Sequence, residues 1–109
     1  MSAAFRIDGQ AYWGTNGMVE IYLERLGDEA ERSLGPHHLW VGWLRGWREA
    51  FFMGAVVNLD DLLRDHAERR VFATLWDHAT ARLLADRILT ESGQHWVAEV
   101  GTSLRSHLD

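Results

Sequence analysis

Apolar residues recur at three- and four-residue spacing along most of the chain, the mark of amphipathic helices. Val19, Tyr22, Leu23, Leu26 and Ala30 share one face of a helix that begins near Gly17, with Thr15 or Asn16 placed to cap it. Gly35 and Pro36 end that helix and begin the next, since proline is tolerated at a first helical position. So short a turn predicts antiparallel neighbours. Ahead of both, "FRIDGQAYW" sets Asp8-Gly9 between two β-prone runs. Asp-Gly suits a tight turn because both central residues need positive φ, which predicts a hairpin over about 4–13.

The stretch "HHLWVGWLRGWREAFFMG" holds Trp40, Trp43 and Trp47 among glycines. As a helix over 36–53 it carries a bulky row, Leu39, Trp43, Trp47, Phe51 and Ala55, beside a small one, Gly42, Gly46, Ala50 and Gly54. Read as a strand, the same residues separate nothing polar from apolar. Glycine inside a helix costs roughly 0.5–1 kcal/mol relative to alanine, so the small row is expected to receive a neighbouring backbone. An aromatic side chain buries about 150–250 Å², and three such burials at about 25 cal/mol per Å² rival a domain's whole stability of about 5–15 kcal/mol. The indoles are therefore expected in the core. A dimer face and a ligand pocket are the other two destinations.

Farther along, Leu59, Leu62 and Leu63 lie opposite Phe72, Leu75, Trp76, Ala79 and Leu83 on a helical wheel. One straight helix cannot bury both sets. Asp65 with Glu68 has the form of a capping box, and Asn58 with Asp61 of a weaker one. The segment is accordingly divided into a short helix over 59–64 and a long one over 66–87. Trp96, Val97, Val100, Gly101, Leu104 and Leu108 make the stripe of a last helix. The expected fold is a single helical domain over 1–109, mainly α: a four- to five-helix bundle with a short N-terminal β-hairpin.

Composition narrows the functions open to such a domain. Hydrophobic residues at 47% and charged residues at 25% are ordinary globular values. With no cysteine, thiolate chemistry, disulfides and Cys-type zinc sites are excluded. No apolar run approaches the roughly 18–20 residues of a membrane span and no basic-then-apolar leader opens the chain, so the expected location is cytoplasmic. Sixteen acidic against 11 basic residues give a net charge of −5, which argues against nucleic acid or an anionic membrane and for a basic protein partner. All 11 basic residues are arginine, the coding bias of a GC-rich genome.

Catalytic and metal-binding patterns are sparse. The six histidines give no H-x-x-x-H, E-x-x-H or H-E-x-x-H spacing. His37 and His38 are adjacent at a helix start, where an axial haem ligand is one reading and capping or exposure the better one. Glu91 with His95 and Asp77 with His78 are pairs that polar helix faces supply by chance. The acids of "NLDDLLRD" fall where helix N-termini favour negative charge. "HAE" at 66–68 matches half of a zinc deaminase signature whose other half needs cysteine, "TSLRSH" lacks a nucleophile-elbow setting, and no phosphate-binding glycine loop is present. No catalytic, metal or cofactor residue is assigned.

One pattern is less easily dismissed. Glu20, Glu24, Asp28 and Glu31 follow i, i+4, i+8 and i+11 as one acidic row, although like charges at that spacing cost about 0.2–0.5 kcal/mol per pair. Arg32, four beyond Asp28, offsets part of the repulsion. The row is the candidate partner-binding surface, placed to meet and steer a basic protein. In size and acidity the chain resembles bacterial immunity or inhibitor proteins that neutralise a toxin or nuclease, a resemblance of composition alone. The expected function is a non-enzymatic protein-binding module. The alternative is a small-molecule or cofactor-binding domain, possibly enzymatic, around Trp40, Trp43 and Trp47.

Overall fold

The computed structural model describes residues 2–109 as a mainly helical molecule with a small sheet at its N-terminus. Strands β1 (Ser2–Ile7) and β2 (Gln10–Thr15) form the expected hairpin. Its turn places Asp8 at φ 51° and Gly9 at φ 79°, the left-handed pair that Asp-Gly supplies at low cost. Helix α1 (Asn16–Leu34) follows at once, capped by the Thr15 hydroxyl, which accepts from the Met18 amide at 3.1 Å. Gly35, at φ 92°, ends it and donates its N–H to the Glu31 carbonyl.

Helix α2 (Leu39–Glu49) is shorter than the 36–53 expected. Pro36 lies in the connecting turn, and the ring of His38 caps the helix by accepting from the Trp40 amide at 3.1 Å. After α2 the chain turns back at Gly54 (φ 82°) so that β3 (Val56–Asn58) can join β1 in parallel. The sheet thus has three strands in the order β2-β1-β3, not the two of a lone hairpin. Where a short helix over 59–64 is expected, Leu59–Asp61 makes one 3₁₀ turn, capped by the Asn58 side chain, which accepts from the Asp60 amide at 3.2 Å.

Helix α3 (His66–Ala85) begins at the expected capping box: Asp65 accepts from the Glu68 amide at 2.8 Å, and the Glu68 carboxylate reaches back to the Arg64 amide at 3.0 Å. The last helix, α4, runs α-helical over Glu91–Trp96, through a π turn over Val97–Gly101, and α-helical again over Thr102–Ser106. The sequence explains the wide turn. Residues four apart run about 40° past a full turn of a 3.6-residue helix at every step, and one wider turn returns Leu104 and Leu108 to the buried side. Four helices are present, and none is long and apolar enough to cross a membrane among the described residues.

The core lies between the helices and the inner sheet face. Tyr22 stacks on Trp76 with centroids 4.3 Å apart, Phe5 meets both edge-on, and Trp96 tilts against Tyr22 at 5.6 Å. Burial pushes the Tyr22 hydroxyl up to about 12, although a 2.7 Å hydrogen bond to Thr80 acts the other way. Trp76 and Trp96 are thus core tryptophans together with Trp40 of α2, while Trp43 and Trp47 pack against that core only in part. Trp40 is buried against Phe72, whereas Trp43 and Trp47 touch each other and are only partly buried. The small row is a second correction. A Cβ on Gly42 or Gly46 would meet nothing within 4 Å, so no backbone packs there. α2 instead presents Val41 and Leu44 to the core, and its closest glycine contact is on α1, where the Arg45 guanidinium lies 3.3 Å from a Cβ on Gly27.

Candidate interaction surface

Strand alternation sorts the sheet into two faces. Ala3, Phe5, Ile7 and Val57 point inward and are fully buried. On the outer face, Trp13 and Val56 flank Ala4 from the two neighbouring strands, since Ala4 pairs with both. Ala4 is fully covered, while Trp13 is 53% and Val56 36% exposed. Phe52 and Met53, in the loop leading into β3, are 61% and 65% exposed. Arg6 lies next along β1 on the same face, beside Asn58. The strand is anchored at Trp13: its main-chain carbonyl accepts from the Trp96 indole nitrogen at 2.7 Å. Rigid backing beneath a large exposed ring lowers the entropy lost when something docks on it.

The acidic row predicted from sequence stands on α1, facing α2. Arg48 reaches Glu20 at 3.1 Å and Glu24 at 3.5 Å. Arg45 reaches Asp28 at 3.0 Å and Glu31 at 3.4 Å. The like-charge cost of the row is thus met by two arginines from the neighbouring helix, and four carboxylates face two guanidinium groups. Arg32 does not join it; it bonds Glu29 at 2.8 Å.

Glu29 is the acid that spacing alone does not single out. It lies on the core side of α1 at 3% exposure, and both Arg32 and Arg82 of α3 pair with it, with His78 at 3.8 Å. A carboxylate next to Ala30 on an apolar face was the available signal, because such a group needs a partner.

The remaining candidates resolve into structural roles. Asp77 binds Arg105 through two bonds of 2.9 and 3.2 Å, not His78. His95 faces Glu99 at 3.3 Å, one turn beyond Glu91. No group of three metal-ligating side chains occurs among the described residues. Trp40 borders a cavity of about 240 Å³ with Leu34, His38 and Val71, below the roughly 300 Å³ at which small-molecule pockets begin, and Trp43 and Trp47 do not line it.

The nearest approach to a catalytic arrangement is at the hairpin turn. Asp8 lies 3.0 Å from His107 Nδ1, whose Nε2 is 2.6 Å from the Tyr12 hydroxyl. Two features make it a clamp. Arg69 takes the same carboxylate through bonds of 2.9 and 2.7 Å and also donates to the His107 carbonyl. The Tyr12 hydroxyl and His107 Nε2 also share one acceptor, Gln10 Oε1, at 3.0 and 3.1 Å, which ties both rings to the hairpin. The Arg69 guanidinium holds the Asp8 carboxyl down at about 2, with His107 adding to it against the opposing effect of burial. Hairpin, α3 and the end of the chain are joined there.

Comparison with known proteins adds one similarity. The cytoplasmic dynein heavy chain of Drosophila melanogaster is 30% identical to this chain over 90 residues, which is 78% of this chain and 2% of that protein's length. No family model matches the chain, and no solved structure matches it.

Proposed function

We propose that this four-helix bundle is a non-enzymatic protein-binding module of the inhibitor or immunity kind, which acts by occupying its partner's surface. The observation that supports the reading is the uncovered outer face of the sheet. Large apolar side chains left in water on a rigid support mark interaction sites, and tryptophan and arginine are the side chains that most often carry binding energy. The face opposite, built from the same strands, is fully covered by helices, so the exposure of Trp13 and Val56 is a property of one side only.

The acidic row adds a second element to the same proposal. Glu20, Glu24, Asp28 and Glu31 outnumber Arg45 and Arg48, and the chain as a whole is at −5. Such a field draws a basic partner from a distance without contacting it. The test is recovery of a partner from the native host with the wild-type chain and with Trp13→Glu, followed by reconstitution from purified components. The proposal expects a complex with the wild type that Trp13→Glu does not form, and an association rate that falls as salt rises. A complex indifferent to Trp13→Glu contradicts it.

A further inference from the structure

We infer that the outer sheet face receives a short apolar segment of a partner chain, carrying one carboxylate that pairs with Arg6 and basic residues on either side. The inference rests on the protein-binding reading and names the chemistry of what binds.

Size decides between a segment and a second copy of this chain. Strands lie about 4.8 Å apart and rise about 3.3 Å per residue, so three strands of at most six residues give a face roughly 10 Å wide and 20 Å long. A stable dimer covers about 800 Å² on each partner, several times that face. One extended segment of about six residues, or nearly four turns of helix, spans its length. Trp13 and Val56, on either side of the covered Ala4, require that the segment be apolar there.

Charge decides the rest. Arg25, Arg45, Arg48, Arg69, Arg82 and Arg105 each hold a carboxylate. Among the described residues Arg6, Arg64, Arg70 and Arg87 hold none, and of these only Arg6 stands on the sheet, on an outer face whose strand residues include no acid. The nearest acid in sequence is Asp8, in the hairpin turn two residues on, and its carboxylate is taken by Arg69 at 2.9 and 2.7 Å and by His107 at 3.0 Å. A guanidinium covered by a docked segment without a counter-charge is costly, so the segment must bring a carboxylate. The chain as a whole carries −5, and the segment's flanks meet that field best when they are basic.

The experiment is selection of a displayed library of random peptides on the intact protein, in parallel with Trp13→Ala and Arg6→Glu. Both positions are exposed, and circular dichroism confirms that each variant is folded. The expected peptides are apolar with one Asp or Glu between Lys or Arg. A synthesised representative should bind Trp13→Ala and Arg6→Glu at least about tenfold more weakly, a loss typical of a central interface contact. Replacing its acid by lysine should restore binding to Arg6→Glu. Peptides that need Trp13 but ignore the charge at position 6 overturn the pairing and leave the protein-binding reading standing. Failure to select any peptide, or selection equal on wild type and Trp13→Ala, overturns the inference; if the reconstituted host complex also ignores Trp13→Glu, the reading falls with it. Concentration-dependent dimerisation abolished by Trp13→Ala would put a second copy on the face and overturn the inference as well.

Discussion

The indole nitrogen of Trp96 donates to the carbonyl of Trp13 at 2.7 Å, and the Trp96 ring leaves no room for a side chain at Gly14, where a Cβ would lie 2.8 Å from that nitrogen. One bond therefore ties the last helix to the edge strand that presents the exposed ring. Gly14→Ala forces Trp96 aside and breaks it. The expected cost is about 1–3 kcal/mol, the range for overpacking a close-packed site. Thermal melting checks it, and an unchanged midpoint would show that Trp96 has space to move.

On α2 the expectation is opposite in sign. Gly42 and Gly46 sit in a helix with empty space where a Cβ would go. Gly46→Ala should stabilise by about 0.5–1 kcal/mol, because alanine loses less backbone entropy. A destabilised variant in denaturant titration would restore the close helix crossing that the glycine spacing suggests.

Acid should loosen the hairpin clamp. Asp8 is held at about 2 against an ordinary 3.8, so the folded state favours its ionised form. A depressed pKa gives stability that is present above the unfolded value and is lost as pH falls from about 4 towards 2. Asp8→Asn tolerates the positive φ and lacks the charge. The stability difference between wild type and Asp8→Asn, measured across pH, should shrink over that window; a difference constant from pH 7 to pH 2 contradicts the clamp.

Glu29→Ala removes a buried acid from between two arginines. Breaking a fully buried pair costs about 3–5 kcal/mol. Arg32 and Arg82 are each about half exposed and can return to water, so the expected loss is nearer 1–3 kcal/mol. A denaturant midpoint within error of the wild type would place the Glu29 carboxylate in solvent.

Local signals carried much of this architecture. The period of α1 and α3, the Asp8-Gly9 turn and the caps at Thr15 and Asp65 each depend on residues a few positions apart. Features that depend on distant partners were not legible. β3 is three residues long and exists because β1 accepts it; Glu29 is buried because α3 brings Arg82; the glycines of α2 face water because Val41 and Leu44 won the core side. The acidic row was legible as a row, but not Arg45 and Arg48 opposite it. Trp13 had a signal that went unused: in "QAYWGT" Tyr12 and Trp13 are neighbours on a strand, so the two rings must point to opposite faces, and one of them away from the core.

Amide-shift mapping of the labelled chain on addition of the partner recovered with it tests the central claim most directly. The account predicts that the perturbed amides cluster on β1, β2 and β3 around Ala4, Arg6, Trp13 and Val56, with the inner residues of α1 unmoved. Perturbations confined to α1 and α2 around Glu24 and Arg48, with the sheet silent, would contradict it.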